Sequence, residues 1–221
     1  MAHLGLIVLG QTPRPDLESI YRRHLPGAAL SIMGALDGKP ASAADKLAEA
    51  KGEYPLLVIL QDGTTREISL YRLQPLLEET AAQLAAKGAQ TAVLMCAGDF
   101  PDLKSPIPIV YPGRVVPAVV AGISRSHRIG IITPNPGQLA AAKAHWRQKG
   151  FAVKAAVASP KNPAELEEAA ARMQDPELEL VVLDCMGFGP EAARAFKSRC
   201  GRPVICPQSL VARVAAEVIG A

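Results

Sequence analysis

Two stretches decide the fold: Val93-Leu94-Met95-Cys96-Ala97-Gly98 and Val182-Leu183-Asp184-Cys185-Met186-Gly187. Each is a short aliphatic run of the kind that forms a strand buried on both faces, and each ends in Cys-x-Gly. A Phe follows each, and further on each reaches a Pro-(Ile/Val)-(Val/Ile)-x-Pro strand, at Pro108 to Pro112 and at Pro203 to Pro207. An earlier pair of landmarks precedes them. The buried run from Gly5 enters Thr12-Pro13, and the run from Gly130 enters Thr133-Pro134. Ordered landmarks met twice predict an internal duplication and two related lobes. The interval from Thr12 to Cys96 is longer than that from Thr133 to Cys185, so the first copy carries an insertion.

Between these landmarks the chain alternates strand and helix. Strands are expected over Leu4 to Leu9, Ala29 to Met33, Thr91 to Met95, Arg128 to Ile132, Val153 to Ala158, Leu178 to Leu183 and Pro203 to Cys206. Helices are expected over Leu17 to His24, Ser42 to Ala50 (closed by Gly52), Tyr71 to Lys87 and Val115 to Ile123. Further helices follow over Gln138 to Lys149, Pro163 to Met173, Pro190 to Arg199 and Ser209 to Ile219. Such alternation predicts mostly parallel sheets. One segment breaks the rhythm: Asp62-Gly63 between Leu56 to Leu60 and Arg66 to Leu70 is a strong hairpin signal, and it marks the insertion.

The chain has 221 residues, 49% of them hydrophobic but only 4% aromatic, which calls for an aliphatic core of the layered α/β kind. A net charge of +3 with Lys and Arg scattered among Asp and Glu supplies no basic stripe, so nucleic acid is not an expected partner. The N-terminus lacks a basic leader and no apolar run reaches the roughly 18 residues of a membrane span. A cytoplasmic setting without membrane partners, and reduced thiols at Cys96, Cys185, Cys200 and Cys206, are therefore expected.

Ligands of open parallel sheets lie outside the carboxyl ends of the strands, where both Thr-Pro turns and both Cys-x-Gly turns belong. A thiol at the end of a buried strand and the start of a helix meets backbone N–H groups and the positive end of the helix dipole, which favour the thiolate. Cys96 and Cys185 on opposite faces of a carbon beside a carboxylate could take a proton from one face and return one to the other, with no cofactor. Cysteine is also a common small core residue, and either thiol alone reads equally well that way. The repeated Cys-x-Gly context favours function, because the Gly two residues on allows close backbone approach to a ligand. Cys200 and Cys206 lack that context and read as packing.

Gln11, Thr12 and Arg14 can hold a carboxylate through a hydroxyl, helix-start N–H groups and a guanidinium fork, or can equally be an ordinary capped helix start. Thr133 and Asn135 form the matching turn, with the same two readings. Arg66 belongs more naturally to a plain turn, although a hairpin could carry it over the cleft. Asp99 and Asp184 flank the thiols, but neighbouring side chains at a strand end usually face opposite ways. His3, His24, His127 and His145 show no metal-ligand spacing, and no phosphate-binding glycine motif occurs, so neither a metal nor a cofactor is expected.

Gly10-Gln11-Thr12-Pro13-Arg14-Pro15-Asp16, Leu94 to Pro101, Gln138 to Trp146, Leu183 to Phe188 and Ser209 to Arg213 together resemble the AroM family. That family in turn resembles a branch of the aspartate/glutamate/hydantoin racemase superfamily, whose members have two Rossmann-like lobes with a Cys from each at the interlobe cleft. The resemblance implies that Cys96 and Cys185 hold those two places. It also implies that Thr12, Ala97, Gly98, Thr133, Met186 and Gly187 line a carboxylate pocket. The superfamily includes amino-acid and hydantoin racemases, maleate isomerase and a decarboxylase that keeps one cysteine. Its racemases commonly have Asn-Thr after the first Cys and Thr-His or Thr-Glu after the second, where this chain has Ala97-Gly98 and Met186-Gly187.

The expected fold is thus α/β: two Rossmann-like lobes with mostly parallel sheets related by a pseudo-two-fold, plus a β-hairpin inserted in the first. Residues 1–113 with 208–221 are expected to form the lobe carrying Cys96, and 114–207 the lobe carrying Cys185. The expected function is a cofactor-independent racemase or isomerase acting on a small carboxylate or hydantoin-like molecule. The alternative is a small-carboxylate-binding or regulatory protein without turnover. A homodimer is a possible assembly.

Overall fold

The computed structural model describes residues 1–49 and 55–221. Contacts divide the chain into two compact units, Met1–Tyr111 with Val214–Ala221, and Pro112–Arg213. In the first, β1 (His3–Val8), α1 (Pro15–His24), β2 (Ala29–Gly34) and α2 (Ala41–Glu49) precede β3 (Pro55–Ile59) and β4 (Thr65–Ser69). α3 (Leu70–Ala86), β5 (Thr91–Leu94) and β6 (Ile109–Val110) follow. The second holds α4 (Pro112–Ile123), β7 (Arg128–Thr133), a 3₁₀ turn at Pro136–Gln138, α5 (Leu139–Gln148), β8 (Ala152–Val157), α6 (Pro163–Arg172), β9 (Leu180–Leu183), α7 (Pro190–Cys200) and β10 (Val204–Ile205). α8 (Pro207–Ile219) starts in the second unit, and its residues from Val214 belong to the first. Ala50 and Gly52, expected to end the helix now seen as α2, lie outside the described residues.

The duplication appears in the strand order. The first sheet runs β2-β1-β5-β6 and the second β8-β7-β9-β10, and every pair in both is parallel. β5 (Thr-Ala-Val-Leu) and β9 (Leu-Val-Val-Leu) are buried at all four positions, as strands between two helical layers must be. Each sheet has its own aliphatic core. Ile7, Ile68, Leu73, Leu77, Leu84 and Leu94 are fully buried in the first, and Ile132, Val181, Leu183 and Phe188 in the second.

The Asp62-Gly63 hairpin forms as a separate antiparallel pair, β3 with β4. Its connection is a three-residue loop: the Leu60 N–H donates to the Thr64 carbonyl at 2.8 Å and Gly63 takes φ +81°. A left-handed glycine closing such a loop matches the twist of the strands it joins.

The expectation that each thiol stands at a helix start fails at Cys96, since no helix occurs between β5 and α4. Pro101, Pro106 and Pro108 each remove a backbone donor there. The segment is pinned instead as a loop. Phe100 and Leu103 are buried, the Leu103 N–H donates to the Tyr111 hydroxyl at 2.9 Å, and the Lys104 N–H donates to Glu78 at 3.2 Å. After Cys185 a helix does follow, with Gly189 as the N-cap and Pro190 as the first residue of α7.

Among the described residues no helix is long and apolar enough to cross a membrane. Among the same residues no group of three or more His, Cys, Asp or Glu side chains could hold a metal ion.

Candidate active site

Cys96 and Cys185 sit in the same backbone frame. The residue before each donates to the central strand of its own sheet: Met95 N–H to the Ile7 carbonyl and Asp184 N–H to the Ile132 carbonyl, both at 2.8 Å. Each cysteine then turns back on its own strand, Cys96 N–H to Leu94 at 2.8 Å and Cys185 N–H to Leu183 at 2.7 Å. Both are half-buried at the carboxyl end of a parallel strand, where ligands of such sheets bind. The Gly187 N–H donates to the Cys185 sulfur at 3.3 Å, so that sulfur already has one backbone donor. Cys200 and Cys206 are buried, as packing requires, and the Cys206 thiol donates to the Phe188 carbonyl at 3.2 Å.

The two Thr-Pro turns are not equivalent by register. Ala35 N–H donates to the Val8 carbonyl at 2.9 Å and Ala158 N–H to the Thr133 carbonyl at 3.0 Å, so Val8 holds the place of Thr133. Thr12 lies beyond the end of β1, four residues after Val8 and past Leu9-Gly10-Gln11. The likeness of the two dipeptides conceals this offset.

Those residues lace the carboxyl end of the first sheet. The Gln11 N–H donates to the Ile59 carbonyl at 3.0 Å, which ties the loop to the inserted hairpin. The Gln11 amide group donates to the Leu36 and Lys39 carbonyls at 3.0 and 2.8 Å and accepts from the Gln61 N–H at 2.9 Å. Thr12 gives its N–H to one oxygen of Asp37 at 2.7 Å and its hydroxyl to the other at 2.9 Å. Arg14 forms a two-pronged pair with Asp16 through Nε (2.8 Å) and Nη2 (2.6 Å). Arg66 donates to Asp45 on α2 at 2.5 Å and to the Thr65 carbonyl at 2.9 Å. All four residues therefore spend donors inside the first unit. Asp37, which no sequence pattern singled out, is the acceptor on which that loop converges.

In the second unit Thr133 is buried, and its hydroxyl makes only a long contact to the Asn135 carbonyl at 3.4 Å. Asn135 caps the 3₁₀ turn, accepting from the Gln138 N–H at 3.1 Å. Met186 is buried, and its carbonyl accepts from the side-chain amide of Gln208, itself buried, at 3.2 Å. Gly187 packs near Pro160: a Cβ built on it would lie 3.3 Å from the proline ring. A surface depression of about 450 Å³ bordered by Arg194, Lys197 and Arg202 adjoins the C-terminal end of α7. That end is roughly 16 Å of helix away from the start of α7 that follows Cys185.

Asp184 is held by a tryptophan of its own unit. Its carboxylate accepts from the indole N–H of the fully buried Trp146 at 3.0 Å, and Trp146 packs edge-on against Phe151. Desolvation pushes the Asp184 carboxyl up to about 6, against the opposing pull of the Trp146 hydrogen bond. The folded state therefore binds an extra proton between the ordinary aspartate value of 3.8 and about 6. Its contribution to stability is complete below that window and is lost as pH rises through about 6, by at most about 3 kcal/mol. Denaturant midpoints from pH 4 to 8 should show this decline in the wild type. In Asp184→Asn, whose amide oxygen can still accept from Trp146, the decline should vanish.

Two parallel α/β sheets repeated in one strand order define the class of fold, a two-lobed one shared with solved racemases and isomerases. A maleate isomerase of Pseudomonas putida matches at TM-score 0.67 and 11% identity, covering 99% of this chain and 93% of that one. A glutamate racemase of Bacillus anthracis matches at TM-score 0.64 and 13% identity, over 99% and 82%. An arylmalonate decarboxylase matches at TM-score 0.63 and 14% identity, over 99% and 92%. At such identities the likeness is one of fold. Within that class the chain belongs to the AroM family, whose model, described as AroM protein, matches residues 4–219. No curated protein matches the sequence.

Proposed function

We propose that the chain is a cofactor-independent racemase or isomerase acting on a small carboxylate or hydantoin-like molecule, with Cys96 and Cys185 as its acid and base. The observation that carries this reading is the shared backbone frame of the two thiols at matching strand ends. In the proposed reaction the thiolate of one cysteine takes the proton on the carbon next to the carboxylate, becoming a thiol and leaving a planar enediolate. The thiol of the other cysteine then gives its proton to the opposite face and becomes the thiolate. Charge and proton count balance, and exchange with solvent resets the pair. On an unsaturated diacid the same two groups would act as nucleophile and acid instead.

Backbone N–H groups at Ala97, Gly98 and Met186 would hold the carboxylate, with Gly187 and the turn at Thr133 and Asn135 lining its pocket. Gln11, Thr12, Arg14 and Arg66 would shape the first-lobe wall.

One observation favours a second reading, a small-carboxylate-binding or regulatory protein without turnover. The residues after the thiols, Ala97-Gly98 and Met186-Gly187, have side chains that cannot transfer a proton. The test is NMR in D2O with a panel of α-substituted carboxylic acids, hydantoins and unsaturated diacids, and the double Cys→Ala variant as control. Exchange or isomerisation that disappears in the double variant supports the enzyme. Line broadening by a carboxylate with no exchange moves the binding protein ahead.

A further inference from the structure

Asp37 lies three residues past β2, at the carboxyl end of the first sheet, and is half-buried. Its two carboxylate oxygens collect three donors. One takes the Thr12 N–H at 2.7 Å, and the other takes the Thr12 hydroxyl at 2.9 Å and the Gly34 N–H at 2.7 Å. Backbone N–H groups and a hydroxyl converging on two oxygens in this way form the donor set that an external carboxylate would need. The aspartate is fixed there by its own turn: Asp37 N–H donates to the Gly34 carbonyl at 3.0 Å, and Leu36 N–H donates to the Gly10 carbonyl at 3.0 Å. The Gln11 side chain then ties both loops and the hairpin together.

The second unit has no counterpart. The residue three past β8 is Pro160, which borders Gly187 and brings no charge. The two units therefore differ in charge at corresponding places.

We propose that Asp37 is a built-in carboxylate that occupies the anion-binding donors of the first-lobe turn, so that this turn accepts a neutral or hydrogen-bond-donating part of the ligand and excludes a second carboxylate. Resting on the reading of the chain as a carboxylate enzyme, this narrows the substrate class to molecules with one carboxylate and, on the side facing Asp37, an N–H, an O–H or an uncharged group. A dicarboxylate placing its second charge there would meet the Asp37 charge, with no donor left to offset it.

The test uses formate, the smallest carboxylate, and follows the Thr12 and Gly34 amide resonances. In the wild type these resonances are expected to stay put as formate is added. In Asp37→Ala the same resonances should shift saturably, and formate should restore several degrees of the Tm lost by the substitution while leaving the wild-type Tm unchanged. Saturable shifts in the wild type would overturn the proposal, because the donors would then be open. So would a folded Asp37→Ala protein whose Thr12 and Gly34 amides ignore formate. Should Asp37→Ala not fold without formate, the wild-type titration decides alone. Neither readout needs turnover, so a failure of the thiol chemistry and a failure of this proposal remain distinct results.

Discussion

With Cys96 or Cys185 replaced singly by alanine, net inversion of any substrate that responds is expected to fall by about 100- to 10,000-fold, the usual weight of one positioned acid or base. The stereochemical detail is more telling than the loss. In a two-base reaction each thiol serves one face, so each single variant should still wash deuterium into one enantiomer while failing to produce the other. The two variants should favour opposite enantiomers. Both thiols are half-buried, and removing one sulfur leaves the backbone frame at Leu94 and Leu183 in place, so the fold should survive. Circular dichroism and the Tm check that point. If Cys96→Ala keeps full turnover while Cys185→Ala loses it, one thiol suffices and the reaction is of the decarboxylase type. Full turnover in both variants would end the acid–base reading altogether.

The elements most legible in the sequence were those whose local chemistry is also their global role. β5 and β9 are aliphatic runs closed by a polar turn, and nothing but a doubly covered parallel strand suits them. The hairpin was legible because Asp62-Gly63 carries its turn geometry in two residues. The two related lobes were legible in the duplicated landmarks, and the sheets accordingly share one strand order, since a repeated βαβ pattern winds the same way each time.

What escaped the sequence depends on pairs of residues far apart along the chain. Asp37 in Leu36-Asp37-Gly38 looks like any acidic turn residue, and its meaning appears only when Thr12, twenty-five positions earlier, turns both donors towards it. Asp184 was expected to face away from Cys185, but nothing local tells that the partner on its side is Trp146 of α5. The Thr-Pro likeness misled because register is set by ladder hydrogen bonds, and an offset of four residues, from Val8 to Thr12, shifts the turn without changing its letters. The missing helix after Cys96 was readable in principle: three prolines within eight residues outweigh the analogy with the segment after Cys185.

Substituting Gly10 by alanine is expected to be the most destabilising single-methyl change in the loops around Cys96. An ideal Cβ on Gly10 would lie 2.0 Å from the Ile59 carbonyl oxygen and 2.8 Å from the Ile59 nitrogen. Both are backbone atoms of β3, so no side-chain rotation relieves the overlap, and either the β1 loop or the hairpin must move. Movement breaks the Gln11 N–H to Ile59 hydrogen bond and strains the Gln61 N–H to Gln11 bond, each worth about 1 kcal/mol. Added to the cost of overpacking, a loss of about 3 kcal/mol or more follows. Gly27→Ala is the matched control, since a Cβ there meets nothing within 4 Å and should cost no more than about 0.5 kcal/mol. Urea midpoints of the two variants measure the difference. The Gly10 variant carries a second consequence, because the loop that moves is the one that delivers Thr12 to Asp37. Its Thr12 amide should lose the hydrogen-bonded shift seen in the wild type, whereas a clash absorbed by the hairpin alone would leave that resonance unmoved and assign the strain to β3.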